Sequence, residues 1–325
     1  MARILLTGAS GFVGNNLARY LLNEGHGVSI LVRPDHTSWR LVDLLPHVQV
    51  RTADLCDPEA VNAAVREARP EWVFHLAAHG AYSFQSDPLA ILQTNIIGAA
   101  NLLEACLRTG FDAFVNTGSS SEYGFQDHPP VETEQIEPNS HYAVAKASAT
   151  MLCRYLARSR KARITTLRLY SVYGPYEEPA RLIPTVIVRG LGNRLPLLVN
   201  PLVARDFVYV GDVVRAYVLA ATTHDQEPGA VYNVGTGVQT SIGDAVETAR
   251  SILNITDQPQ WSSMPDRIWD TGTWVSDSRS IREKLGWEPR FGFREGFAST
   301  VQWFRDHPNL TNFYREKLEQ VRQGS

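Results

Sequence analysis

A chain of 325 residues with a formal net charge of −3 is long enough for a large core or two closely joined domains, and its charge offers no overall attraction to nucleic acid or anionic membrane. Three cysteines, Cys56, Cys106 and Cys153, form no CxxC pair and no metal-ligand spacing, so no metal site is expected and a reducing compartment fits. The chain opens directly into apolar sequence without a signal-peptide pattern, and no apolar run approaches the ~20 residues that span a bilayer; a cytoplasmic protein with no membrane or nucleic-acid partner is expected.

The first apolar run, Arg3–Leu6, reads as a buried strand, and Asn15–Leu22 carries apolar residues at helical spacing. Between them lies TGASGFVG, Thr7–Gly14. Gly8 allows the tight turn off the strand, Gly11 lets the backbone approach a pyrophosphate, and Gly14 lets the helix pack on the sheet. With Ser10, Phe12 and Val13, the turn is the predicted phosphate cradle of a dinucleotide, the free N–H groups of the helix start favouring the anion. An ordinary strand–turn–helix without ligand is the alternative.

Gly27–Val32 is a second strand, followed at once by Arg33. In dinucleotide folds an acidic residue near this place holds the adenosine 2′-hydroxyl, whereas an arginine accommodates a 2′-phosphate. Arg33, with Ser38 and Arg40, therefore predicts NADP(H), since arginine offers phosphate a bidentate fork. Asp35 suits a hydroxyl and keeps NAD as the alternative; the two arginines also fit a role as solvated surface charges. A third strand, Val48–Thr52, ends in Ala53-Asp54-Leu55. Asp54 either accepts from the adenine amine, beside Leu55, or caps the helix that starts near Pro58.

Helix Pro58–Ala68, strand Trp72–Leu76, helix Pro88–Arg108, strand Ala113–Thr117, helix Tyr142–Arg160 and strand Ile164–Arg168 follow. His75, inside an apolar strand, reads as a core histidine. This alternation predicts an α/β fold, a doubly wound parallel sheet of Rossmann type with ligands at the carboxyl ends of its strands. After Tyr173-Gly-Pro175 the alternation is lost. Helix Leu182–Gly190, the segment Arg205–Tyr209, helix Asp212–Ala221, strand Val231–Val234, helix Ile242–Leu253 and a tail with Trp261, Trp269, Trp274 and Trp287 remain. Residues 1–175 are read as the dinucleotide-binding domain, with segments of about 205–235 returning to it; residues 176–325 are read as a smaller α/β substrate lobe in which the tryptophans pack.

Tyr142-Ala-Val-Ala-Lys146 puts a phenol and an ammonium on one helix face. A nearby ammonium lowers a phenol's pKa from about 10, so that it exchanges a proton near neutrality. Ser119, just beyond the strand at 113–117, is placed to hydrogen-bond a substrate oxygen beside the tyrosine. An exposed tyrosine and a solvated lysine on a surface helix are the alternative.

Together with these pieces, ADL at Ala53–Leu55, HLAA at His75–Ala78, TNIIGAANLLEAC at Thr94–Cys106, GSSSEYG at Gly118–Gly124, RLYSVYGP at Arg168–Pro175, RDFVYVGDVV at Arg205–Val214, YNVGTG at Tyr232–Gly237 and KLGWEP at Lys284–Pro289 run almost end to end. The sequence resembles the extended short-chain dehydrogenase/reductase family, in its branch of nucleotide-sugar epimerases, dehydratases and 4-ketoreductases. The resemblance implies Tyr142 as acid/base on the sugar 4-oxygen, aided by Ser119, while a nicotinamide exchanges hydride at C4. It implies Lys146 on the nicotinamide ribose, Leu76, Ala77 and Ala78 along the cofactor groove, Asn95 organising the site, and Tyr170 as a further cofactor contact. Ser119, Ser120 and Ser121 would face the nucleotide-sugar substrate, and Arg205 and Arg267 its diphosphate. Family members often dimerise through a four-helix bundle; helices within Leu89–Leu107 and Ala147–Leu156 would supply it in a homodimer.

Departures from the family pattern separate the reactions. Sugar 4,6-dehydratases carry an Asp-Glu pair in the serine loop. A gapless match anchored on Tyr123-Gly124 puts Ser120 and Ser121 there, and hydroxyls do not replace a carboxylic acid and base at neutral pH; Glu122 lies one residue off. An epimerase holds NAD and reuses it, whereas a reductase consumes NADPH. Arg33 therefore tilts the expectation toward reduction of a nucleotide-linked 4-keto-6-deoxy sugar, with an NAD-dependent 4-epimerase as the alternative. The Tyr142–Lys146 pair argues against a non-catalytic NADP sensor.

Overall fold

The computed structural model describes residues 1–36, 38–82, 84–263 and 271–323. Its strands are β1 (Arg3–Thr7), β2 (Gly27–Val32), β3 (Gln49–Thr52), β4 (Trp72–His75), β5 (Ala113–Ser119), β6 (Ile164–Leu169), β7 (Ser171–Tyr173), β8 (Ala204–Arg205), β9 (Phe207–Tyr209), β10 (Val231–Val234) and β11 (Thr240–Ser241). Seven of them form one sheet in the order β10-β6-β5-β4-β1-β2-β3, every pairing parallel. Strand order reverses between β1 and β4, which opens a crevice at their carboxyl ends. The glycine turn leaves β1 and the run after His75 leaves β4, so both border that crevice.

Alternate residues of each strand bury on opposite faces. Ile4, Leu6, Phe74, Ala113 and Val115 point to one face, covered by α1 (Phe12–Asn23). Leu5, Val73 and Phe114 point to the other, covered by α2 (Pro58–Ala68) and a long helix. That helix runs as α3 (Pro88–Leu92), one π-helical turn at Gln93–Ile97, and α4 (Gly98–Thr109). Contrary to the reading that no apolar run reaches spanning length, Pro88–Thr109 is long and apolar enough by length and composition to cross a membrane; here it packs on α2 and on α5 (His141–Arg160). The N-cap of α2 is Asp57, whose carboxylate accepts from Glu59 N and Ala60 N, so Asp54 is not that cap.

Beyond β7, α6 (Leu182–Gly190), α7 (Val210–Thr222), α8 (Ile242–Leu253), α9 (Arg279–Leu285), α10 (Phe293–Asp306) and α11 (Pro308–Gln323) follow. α7 and α9 return to the sheet: Val213, Tyr217, Ile281 and Leu285 join the cluster beneath α1. Trp287 joins them, fully buried, with its indole N–H on Asp212 O at 2.8 Å. It therefore packs with the sheet and not in the lobe, because Asp212 also holds the backbone N–H groups of Arg290 and Phe291 and draws this segment inward. A separate core forms where α6, α8, α10 and α11 meet, with Ile183, Ile187, Val246, Phe297 and Tyr314 buried. Among its described residues, the tail that reads as tryptophan-rich packing thus contains three helices.

Candidate active site

The glycine turn is set by crowding. Gly8 has φ +76°, and a Cβ there would meet Ala77 N and the Leu76 carbonyl carbon at 2.5 Å. A Cβ on Gly14 would lie 2.2 Å from Gly8 O. Gly11 is the least crowded, with only Gly8 O at 3.2 Å. Thus Gly8 and Gly14 are required by the protein's own packing, whereas Gly11 keeps side-chain bulk off the open face of the turn. Gly11 is also the N-cap of α1, with no side-chain cap and no acidic residue in the first turn. The leading N–H groups, those of Phe12 and Val13 among them, are therefore open to an anion. Thr7 Oγ1 takes the Ala77 N–H at 3.2 Å and bonds His75 Nδ1 at 2.8 Å, which ties the ends of β1 and β4. Burial drives His75 down to about 3, with the Lys146 charge adding to the effect, so it is a neutral core histidine.

Leu76, Ala77 and Ala78 line the crevice half-buried after β4. The next turn is fixed by Asn95, buried in the π-helical turn: its Oδ1 accepts from His79 N at 2.8 Å and its Nδ2 donates to His79 O at 2.7 Å. At the end of β3, Leu55 is buried and Asp54 exposed, the latter accepting from Cys56 N at 2.8 Å.

At the end of β2 the three predicted phosphate ligands separate. Arg33 is exposed, as is Asp35. Ser38 donates to Ser10 O at 3.2 Å, against the glycine turn. Arg40 departs from the expectation: it is buried, its Nε donates to Tyr176 O at 2.7 Å, and its Nη2 pairs with Glu178 at 3.2 Å. A buried guanidinium requires such partners, and the segment leaving β7 supplies them.

β5 runs two residues beyond the predicted end, so Ser119 is its last residue, and Ser120–Tyr123 form a 3₁₀ turn. Ser119 Oγ accepts from Ser121 N at 3.1 Å, and the Ser119 side chain is near enough to the Tyr142 phenol to favour its ionisation. Ser120 is buried; Ser121 is half-buried. Tyr142 and Lys146 lie on one face of α5, the lysine Nζ 5.8 Å from the phenol ring centroid and donating to Thr117 O at 2.9 Å. Burial pushes the Tyr142 phenol up to about 12, against the pull of Ser119; Glu122 and Tyr82 add to the rise and Arg181 opposes it. Lys146 is drawn down to about 8, again mainly by burial, with Glu122 and Cys153 opposing. The expected lowering of the phenol is thus not what these side chains produce by themselves, because desolvation outweighs them.

Two residues near the phenol carry no sequence motif. Tyr82 sits in the loop after β4, and Arg181 precedes α6 beside the buried Glu177, 3.6 Å away. Only the folded crevice brings them together. Tyr170 is buried and lines a small cavity with Ser120, Gln126, His128 and Trp274; its hydroxyl has no partner among the described residues. Arg205 lies 5.8 Å from the Trp274 ring and donates to Ala204 O at 2.7 Å. Its neighbour Asp206, fully buried, accepts from Thr236, Gly237 and Ser276, pinning two segments to its own. Arg267 and Trp269 lie outside the described residues.

Residues 4–235 match the model of the NAD dependent epimerase/dehydratase family. The chain belongs to this family. Within the NAD dependent epimerase/dehydratase family it is 31% identical over 316 residues to a UDP-glucose 4-epimerase of Mycolicibacterium smegmatis, covering 94% of this chain and 99% of that one. It is 30% identical to a dTDP-glucose 4,6-dehydratase of Streptomyces griseus, with 94% of each covered. The fold superposes on the UDP-glucose 4-epimerase of Thermus thermophilus in complex with NAD with a TM-score of 0.82, 30% identity, and 93% and 99% of the two chains covered. The chain spans 47% of the length of a trifunctional UDP-glucose 4,6-dehydratase, epimerase and reductase of Arabidopsis thaliana, at 28% identity. The chain is therefore an NAD(P)-dependent enzyme of nucleotide-sugar epimerase/dehydratase type.

Proposed function

We propose that the enzyme exchanges hydride at C4 of a nucleotide-linked sugar and, retaining NAD, inverts that centre as a 4-epimerase. The observation that carries this reading is the state of Glu122. Its carboxylate is fully buried and fully engaged, with Arg168 on one oxygen and Ser119 N and Thr150 on the other. Ser120 and Ser121 offer only hydroxyls. The serine turn therefore presents no free carboxylic acid–base pair of the kind that eliminating water requires. Among the described residues, what is left at the crevice for proton transfer is Tyr142, with Ser119 beside it. The UDP-glucose 4-epimerase relative and the NAD-bound epimerase neighbour support the same choice.

The residues present fit a dinucleotide. Gly8, Ser10, Gly11, Phe12, Val13 and Gly14 would hold its pyrophosphate, the bare face at Gly11 and the uncapped helix start being the features that suit it. Asp54 and Leu55 would hold the adenine, and Leu76, Ala77, Ala78, Asn95, Lys146 and Tyr170 the nicotinamide half. When bound, an oxidised nicotinamide supplies the hydride acceptor and a positive charge that favours a phenolate. Tyr142, as the phenolate, would take the proton of the C4 hydroxyl and later return it to the C4 oxygen, and Ser119 would steady that oxygen by a hydrogen bond. Arg205 and Arg267 would meet the diphosphate.

The exposed Arg33 directly after β2 favours a second reading, NADPH-dependent reduction of a nucleotide-linked 4-keto-6-deoxy sugar. Denaturing the purified protein and identifying the released nucleotide separates the two. About one NAD per chain together with interconversion of UDP-hexoses is expected. Loosely held NADP(H) with stoichiometric NADPH consumption on a 4-keto sugar nucleotide would reverse the choice. The enzyme is further proposed to be a homodimer. Leu89 and Ile97 on the long helix, and Val144, Met151 and Tyr155 on α5, are exposed apolar side chains that a four-helix contact would cover.

A further inference from the structure

Resting on the proposed C4 chemistry, we infer that Glu122 is the positioning residue of the site: one buried carboxylate locks the serine turn to the tyrosine helix, with Arg168 as its counter-ion. Tyr142, Lys146 and Thr150 are spaced four apart on α5 and share a face. The third member of that stripe, Thr150, donates to Glu122 Oε1 at 3.1 Å, and the same oxygen accepts the Ser119 N–H at 2.8 Å. Oε2 takes Arg168 Nε from β6 at 2.9 Å. Arg168 is itself buried, with its guanidinium 4.5 Å over the Tyr123 ring and one nitrogen on Glu132 O at 3.5 Å; Tyr123 OH donates to Asn233 Oδ1 at 2.8 Å.

Both carboxylate oxygens carry donors, two on Oε1 and one on Oε2, so the pair meets the condition under which buried charges are tolerated. The backbone makes room for it: a Cβ on Gly118 would lie 2.6 Å from Glu122 Oε1 and 2.9 Å from Thr166 Cγ2. Both carboxylate oxygens are taken by protein donors, and through them Glu122 joins the two parts whose spacing sets the distance between Ser119 and Tyr142. Misplacement of about 1 Å at such a contact is enough to cost about 10²-fold in rate. Its charge also opposes ionisation of Tyr142 and supports protonation of Lys146. The groups acting on the phenol are Ser119 and Glu122 from the serine turn, Tyr82 from the loop after β4 and Arg181 before α6; those acting on the lysine are Glu122 and Cys153.

The test uses Thr150→Val, Thr150→Ser and the paired Glu122→Gln/Arg168→Met, which removes both buried charges and so avoids leaving one stranded. In Thr150→Val, kcat is expected to fall about tenfold with KM and cofactor Kd within about twofold, and Thr150→Ser is expected to restore it. In the paired variant the kcat–pH profile is expected to move to lower pH, and amide hydrogen exchange at Ser119 to quicken about tenfold or more while that of Val115 in mid-strand stays slow. Wild-type turnover and wild-type Ser119 exchange in the folded paired variant would overturn the inference. So would a rise in KM and loss of stability with kcat and pH profile unmoved. If wild-type protein turns over no nucleotide sugar, the C4 reading fails instead, and the Ser119 exchange still decides the positioning claim.

Discussion

Tyr142 begins from a phenol held at about 12 and Lys146 from an ammonium drawn to about 8, both chiefly by burial. The phenol is thus a strong base once its proton is lost, and the site depends on a positive charge arriving beside it. Tyr142→Phe should lower kcat by about 10²–10⁴-fold and leave cofactor affinity unchanged, since only the proton-transfer group is removed; fluorescence titration and steady-state rates check this. Lys146 keeps its charge below about 8 and loses it above. Dinucleotide affinity should accordingly weaken as pH rises through about 8, and Lys146→Met should flatten that dependence in a titration series. At the end of β2, Arg40→Met should lower Tm without altering the ratio of NADPH to NADH affinity, because Arg40 serves Tyr176 and Glu178. Arg33→Ala should change that ratio if the reductase reading holds and leave it alone if the epimerase reading does.

The segment 175–178 is held from several sides. Asn16 donates to Pro175 O at 2.9 Å, Arg40 holds Tyr176 O and Glu178, and Tyr314 OH bonds Glu177 O. Glu177 itself is buried, one of its oxygens has no partner among the described residues, and burial lifts its carboxyl to about 8 despite the opposing Arg181. In the unfolded chain the same group titrates near 4.5, so between 4.5 and 8 the folded state binds the extra proton. Its contribution is complete below about 4.5 and is lost as pH rises to about 8. Glu177→Gln, which stays neutral, should match wild type near pH 4.5 and exceed it in Tm by a margin that grows toward pH 8. Calorimetry at several pH values reads this directly.

What the sequence disclosed follows the range of the interactions. The glycine turn, the Tyr142–Lys146 face and the alternation of strands and helices all rest on local spacing, and each is found where its residues predict. Contacts that depend on distant partners were illegible. Arg40 meets Glu178 across 138 residues and Arg168 meets Glu122 across 46, and no periodicity encodes either. Tyr82 and Arg181 likewise act on the phenol's charge only in the folded chain. α10 is a middle case: Phe293, Phe297, Val301 and Phe304 have helical spacing, but the neighbouring tryptophans suggest irregular packing.

At the scale of the whole molecule, the 36.2 kDa chain leaves the apolar rows of its long helix and of α5 uncovered. Light scattering at micromolar concentration should return twice that mass. Met151→Arg with Tyr155→Arg should halve it while circular dichroism stays unchanged; a wild-type monomer would count against the dimer. α5 has one further consequence. Its inner stripe carries the phenol, the ammonium and Thr150, and its outer stripe carries Val144, Met151 and Tyr155. The two are separated by one helix diameter, about 10 Å. Whatever grips the outer stripe therefore loads the same rod that aims the phenol. Turnover per chain should fall on dilution below the dimer's dissociation constant even at saturating substrate, so that the enzyme's specific activity becomes a gauge of its own concentration.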